Sequence, residues 1–343
     1  MKTHPRWLSR AGSTLATLAL LTSCATDHET EATLEVKAYV DGNLEELRAA
    51  ALDLQAAAPE PDADGWNATD DADAVEAMRD AWKRTRVAYE RVEGAIAVLF
   101  PNLDVSTDER YDGFIELQPD PDLFDGEGAT GMHAIERILY ADQHPPQVVA
   151  FESSLPNYQE ARFPQNEEEA RRFRDGLVER LVMDVTTMRD QFAPLALDPA
   201  AAYRGVVGSM AEQLEKVTLA ATGEDESRYS EATLADMRAN LEGGRAIYGA
   251  FDEWVRAEGG EDVDARVQAG FDRIDAAYAP IEGDALPPVP EGWNPDEPDP
   301  AHLETEYGQL WSLLTFESDP RAEGSLVSDM NEAAELIGIP LLP

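Results

Sequence analysis

The chain has 343 residues, 43% of them hydrophobic, with 27 Lys and Arg against 69 Asp and Glu and a net charge of −42. That apolar share fills the core of one large domain or two small ones, which excludes wholesale disorder. So negative a surface repels nucleic acid and anionic lipid and draws in cations, and a single cysteine excludes a disulfide scaffold.

Residues 1–23 read as a secretory signal. Lys2, Arg6 and Arg10 make a basic start with no acid before Asp27, and the apolar run Leu15 to Leu21 is too short for a permanent span. Leu21-Thr22-Ser23-Cys24 looks like a bacterial lipobox, whose pattern is cleavage before the cysteine and lipid attachment to it. The expectation is an exported chain held in the bacterial envelope only by lipid on Cys24, facing periplasm or surface, with 24–30 as linker. Ala25 stands where an Asp would mark inner-membrane retention, which favours the outer membrane. The alternative is a cytosolic chain with an apolar start and a buried thiol. No later segment has the roughly eighteen continuous apolar residues a span requires.

Helical periodicity dominates from there. Leu34, Val36, Tyr39, Val40, Leu44, Leu47, Ala51 and Leu54 predict a first helix over 30–57, ended by Pro59 and Pro61. Asp62 to Asp73 reads as a loop, and a second helix follows over 74–100, stopped by Pro101. Further helices are expected over 130–142, 166–192, 199–221, 231–257 and 262–279, with 283–300 an exposed loop. Asp198-Pro199, Asp299-Pro300 and Asp319-Pro320 mark helix starts, with Asp as cap and Pro in the first turn. Alternating β-branched runs are nearly absent, so the fold class is all-α, two helical bundles in series.

Two pairs carry chemistry. Glu90 and Glu93 sit three apart on the second helix, and His133 and Glu136 share that spacing after Gly131. Carboxylates and an imidazole converging between bundle helices hold a hard or borderline cation. A solvated acidic face would give the same Glu90/Glu93 spacing.

The surrounding blocks come in order: Tyr89-Glu90-Arg91-Val92-Glu93, Asn102-Leu103-Asp104, Asp108-Glu109-Arg110-Tyr111-Asp112, and Gly131-Met132-His133-Ala134-Ile135-Glu136. Thr222 to Ser230 then leads into Asp236 and Asn240-Leu241-Glu242-Gly243. Across about residues 30–280 they resemble the imelysin-like family, in particular its EfeO/EfeM-type periplasmic iron-uptake lipoproteins, with Gly-x-His-x-x-Glu as the signature. The resemblance implies an imelysin-like domain over 31–343, built as two packed four-helix-bundle halves at 31–195 and 196–343. It implies a metal site of Glu90, Glu93, His133 and Glu136, with Asp108 a further ligand and Arg110 orienting a carboxylate. The ion implied is divalent or trivalent, iron first and zinc second. The role implied is capture of the cation for an iron permease, with a haem peroxidase as a further expected partner. The Tyr229-Ser230 block is expected to be structural, with Ser230 capping a helix from Glu231 and Asn240 and Gly243 allowing close packing. A first helix starting so near Cys24 leaves no room for the cupredoxin domain that EfeO-type proteins often carry, and fits the shorter EfeM-like layout. Tyr140 stands where that subgroup often has Trp and Ala134 where it often has Arg, and His133-Ala134-Ile135-Glu136 is closer to imelysins proper.

Two other functions stay open. A zinc-dependent peptidase needs three ligands, an open water position and a base, for which Glu136 is available. None of His4, His28, His133, His144 or His302 completes a His-Glu-x-x-His pattern. Binding of an acidic, alginate-like polysaccharide needs an Arg cluster, and the dense one, Arg171, Arg172 and Arg174, follows Glu167 to Glu169 as on a solvated helix start. Asp62 to Gly65 and Asp120 to Gly126 lack the glycine and glutamate of a calcium loop, and Trp82, Trp254 and Trp311 are expected in the core.

Overall fold

Apolar residues three and four apart wind about two thirds of the described residues into helix in this computed structural model, which describes residues 18–67 and 69–340, with side chains from 28 onward. The signal segment lies mostly outside the described residues, and the side chain of Cys24 lies outside them too. Helix α1 (Leu18–Ala57) buries Val36, Val40, Leu44, Leu47, Ala51 and Leu54 on one stripe, while Leu34, counted in that stripe from sequence, is exposed. There follow α2 (Ala72–Glu90), α3 (Glu93–Leu99), α4 (Pro101–Asp108), α5 (Tyr111–Leu117), α6 (Gly131–Leu139) and α7 (Pro146–Glu152). Next, α8 (Glu167–Arg172) passes through a π-helical turn, Phe173–Val178, into α9 (Glu179–Phe192). The rest comprises α10 (Pro199–Leu219), α11 (Thr233–Gly249), α12 (Asp252–Ala257), α13 (Glu261–Tyr278), α14 (Pro300–Leu303), α15 (Glu306–Glu317) and α16 (Leu326–Leu336). Among the described residues there is no strand, and no helix is long and apolar enough to cross a membrane.

The departures from expectation have local causes. The second helix breaks at Arg91 and Val92, where α11 crosses so closely that a Cβ on Gly243 would lie 2.1 Å from the Arg91 carbonyl oxygen. Pro101 opens α4 instead of only ending its predecessor, because the missing N–H is an orphan in a first turn. The helix over 231–257 begins at Thr233, with Ala232 at its cap position, and divides at Ala250 and Phe251. Ser230 does not cap it, because the backbone N–H groups of Leu234 and Ala235 donate to the Asp284 carbonyl. Asp198 and Asp299 cap their helices through the N–H groups of Ala200 and Ala301. Asp319 instead accepts from Arg321 in a turn, and the next helix starts at Leu326 under Ser325.

Helix α1 packs on α2 and α9, α2 on α6 and α11, and α10 on α3, α11, α15 and α16. One contiguous core runs from Ala32 to Ile339, so the stretches 31–195 and 196–343 share it. Trp82 is buried, and its indole N–H donates to the Met132 carbonyl at 2.9 Å, tying α2 to α6. Trp254 is buried and Trp311 half-buried against the core.

Backbone meets backbone where α3 crosses α10: a Cβ on Gly205 would lie 1.7 Å from the Gly94 carbonyl oxygen. Gly205→Ala is expected to destabilise the protein by about 3 kcal/mol, the upper end for overpacking, because no side chain there can give way. Thermal unfolding checks this. An unchanged midpoint would mean that the two helices do not touch.

Candidate metal site

The site forms where α2, α3, α4, α6, α10 and α11 meet. Gly131 opens α6 at φ +83° and lies against the end of α4, so close that a Cβ would fall 2.3 Å from the Thr107 carbonyl oxygen. The glycine of Gly-x-His-x-x-Glu therefore has a geometric reason. It lets α6 touch α4 and brings His133 to Asp108.

His133 is buried, with its Nδ1 3.2 Å from Glu136 Oε2. Its Nε2 has no hydrogen-bond partner; Asp108 Oδ1 lies 3.4 Å away and Glu226 Oε1 3.8 Å away. Glu136 is the back support of the ring rather than a member of the converging set. Its Oε1 accepts from the Ser230 N–H at 2.8 Å, the Ser230 hydroxyl at 2.7 Å and the Tyr229 N–H at 3.1 Å. A carboxylate on Nδ1 sets the tautomer that offers Nε2 to a cation.

Two overlapping sets of donor atoms lie within 4.8 Å of one another: Asp108, His133 and Glu226, and Glu90, Glu93, Asp108 and Glu226. Of the expected ligands, Glu90, Glu93, His133 and Asp108 thus converge, and Glu226 joins them from the loop between α10 and α11. Arg110 does not orient a carboxylate of the set, since its guanidinium donates to the Glu224 carbonyl at 3.2 Å. Arg86 takes that place, one turn before Glu90 on α2. It is buried and contacts Glu90, Asp108 and, at 3.3 Å, Asp236.

Lys216 enters from α10, with Nζ 3.1 Å from Glu90 Oε2, 3.3 Å from Glu93 Oε2 and 3.1 Å from Glu226 Oε2. Asn240 on α11 donates its amide to Glu93 Oε2 at 2.6 Å. Its amide oxygen is held by Ser209 and Gln213 of α10, at 2.6 and 2.7 Å, which fixes which end faces the carboxylate.

The electrostatics follow from packing so many acids together. Burial pushes Glu93 well above the ordinary carboxylate range, Glu90 adds to the shift, and Lys216 opposes it. Burial likewise takes Asp104 up to about 6 and Asp236 up to about 7. Burial acts on Glu226 too, but Lys216, His133 and Arg86 hold it well below its usual range. For His133, burial and Arg86 pull the imidazole down, yet the Asp108, Glu136 and Glu226 carboxylates carry it well above its ordinary value. A cation arriving at Nε2 would therefore have to displace a proton. The cluster opens to solvent through a cavity of about 240 Å³ lined by Glu93, Asp108, Glu212, Lys216 and Glu226, among others.

A carboxylate-rich set with one imidazole and an unpartnered buried nitrogen fits a hard or borderline cation. Sequence reasoning missed Glu226, Arg86, Lys216 and Asp236. Arg86 and Lys216 had a legible signal, because each sits on its helix's buried stripe, beside Trp82 and Tyr89 and beside Gln213 and Val217.

The chain is 28% identical over 205 residues to the iron uptake system component EfeO of Escherichia coli K12, and equally to that of Shigella flexneri. Those alignments cover 60% of this chain and 44% of the relatives, so the chain spans less than half the length of the curated relatives it matches. An imelysin-like protein from Psychrobacter arcticum 273-4 shares the fold, with a TM-score of 0.60 at 13% identity over 93% of this chain and 98% of that one. The family model described as Peptidase_M75: Imelysin matches residues 36–303, and with the signature glycine, histidine and glutamate in place the chain belongs to the imelysin family.

Proposed function

We propose that the chain is an exported, lipid-anchored component of iron uptake that binds its cargo cation between the helices and presents it to a permease. The observation that carries this is the buried, unpartnered Nε2 of His133 facing Asp108 and Glu226, with Glu90 and Glu93 adjoining. Asp108, His133 and Glu226 hold the cation first, and Glu90 and Glu93 supply further oxygens. Glu136, backed by Tyr229 and Ser230, keeps the imidazole aimed. The name of the EfeO relatives supports iron as cargo, and zinc suits the same donors. The surface charge concentrates cations near the cavity without selecting among them.

The peptidase reading has less support. Glu136, its candidate base, is fully buried, with three donors on one oxygen and His133 Nδ1 on the other, so neither oxygen is free to take a proton from water.

Crystals soaked in Fe or Zn and read by anomalous scattering test the proposal. A peak in bonding contact with His133 Nε2 and Asp108 is expected; peaks confined to the surface would refute it. Ser230→Ala removes one of the donors that hold Glu136, and metal affinity is expected to fall about tenfold, as for other outer partners of a ligating histidine. Titration calorimetry reads that change. Cys24→Ser is expected to abolish incorporation of radiolabelled palmitate; a wild-type protein that takes up no label would refute the anchor.

A further inference from the structure

The ammonium of Lys216 stands where a bound cation would draw its oxygens. It touches one oxygen each of Glu90, Glu93 and Glu226, at 3.1, 3.3 and 3.1 Å, and its side chain is only 7% exposed. A metal ion bound by those same three oxygen atoms would sit against the ammonium, and repulsion between the two cations would drive the lysine out. Of Arg86 and Lys216, Lys216 is the one on the side of the cavity that Glu93, Asp108 and Glu226 line. Arg86 is wedged among Glu90, Asp108 and Asp236, with its side chain 1% exposed. Lys216 lines the cavity of about 240 Å³, and Glu212, four residues earlier on the same helix, lines that cavity too. A four-carbon stem reaches an i−4 carboxylate by rotation alone.

We propose that Lys216 is a tethered competitor of the cargo: its ammonium fills the Glu90/Glu93/Glu226 oxygens when no metal is bound and swings out toward Glu212 when a cation arrives. The inference rests on the metal-site reading above. It accounts for how so many carboxylates stay packed together without a metal, and it makes release easier, since the counter-ion that replaces the cargo is always at hand. A group held on a short flexible tether competes at millimolar effective concentration.

The test uses Zn²⁺ alone as the probe, on the full mature chain, comparing wild type with Lys216→Met, Lys216→Arg and His133→Ala. Lys216→Met is expected to bind Zn²⁺ on the order of tenfold tighter or more, because the tethered competitor is gone. Lys216→Arg, which keeps the charge, is expected to show no such gain. Without metal, Lys216→Met should melt lower than wild type, and saturating Zn²⁺ should bring it back to at least the wild-type midpoint. Wild type that binds no Zn²⁺, or binds it as well with His133→Ala, overturns the metal site and this inference together. Wild type that binds through His133 while Lys216→Met binds no tighter leaves the site standing and overturns the lysine's role. So does a Lys216→Met chain that stays unfolded in saturating Zn²⁺, because a cation in the same place would have replaced the missing charge.

Discussion

Asp108→Asn and His133→Ala are each expected to weaken binding of Fe²⁺ or Zn²⁺ by about a hundredfold or more. Losing an outer partner of a metal ligand already costs 10–100-fold, and these two residues offer the donor atoms themselves. Asp108 belongs to both overlapping donor sets, so its loss leaves neither complete. His133 supplies the nitrogen of the set, and its Nε2, facing Asp108 and Glu226, has no hydrogen-bond partner. Equilibrium dialysis with elemental analysis measures the change, and circular dichroism confirms that the variants keep their helices. Wild-type affinity in both variants would remove the assignment.

Arg86→Leu is expected to destabilise the metal-free protein by about 3–5 kcal/mol, the usual range for removing one partner of a buried ion pair. The leucine leaves Glu90, Asp108 and Asp236 facing one another around an apolar side chain. The deficit should depend on pH. Burial raises the Asp236 carboxyl to about 7, with Arg86 opposing the rise. A carboxyl raised on folding contributes stability that is full below its unfolded value and is lost as pH rises through the folded one. Without Arg86 the folded value climbs further, so the gap between variant and wild type should be widest above about pH 7 and narrow as pH falls toward 5. Urea denaturation at several pH values measures it; a deficit independent of pH would mean that the guanidinium matters for packing alone.

How much of this was legible in the sequence depends on whether a feature is local. The all-α class and the long helices follow from apolar spacing, which a chain carries within a few turns. The helix break at Arg91 and Val92 does not, because it answers to Gly243, about 150 residues away in the chain, pressing on the Arg91 carbonyl. In the same way, the pairs Glu90/Glu93 and His133/Glu136 could be read from spacing and family pattern, but their division of labour could not. Glu136 turns away because Tyr229 and Ser230 supply donors from a distant loop. Glu226 lies in a stretch of five polar residues, 224 to 228, where nothing marks one acid above another until folding brings it over the imidazole. Arg86 and Lys216 were the readable exceptions, since a cation on a buried helical stripe has to find acids inside.

The crossing of α3 and α10 reaches further than stability. Gly94 is the neighbour of Glu93, and Lys216 stands eleven residues beyond Gly205, three turns along the same face of α10. With no side chain on either glycine, main chain rests on main chain, and that contact sets how far apart the rods lie where they frame the acids. The spacing of the acids is thereby gauged at a point outside their cluster. A single methyl group at either glycine would therefore push α3 and α10 apart and shift Glu93 relative to Lys216, although neither glycine touches an acid of the cluster.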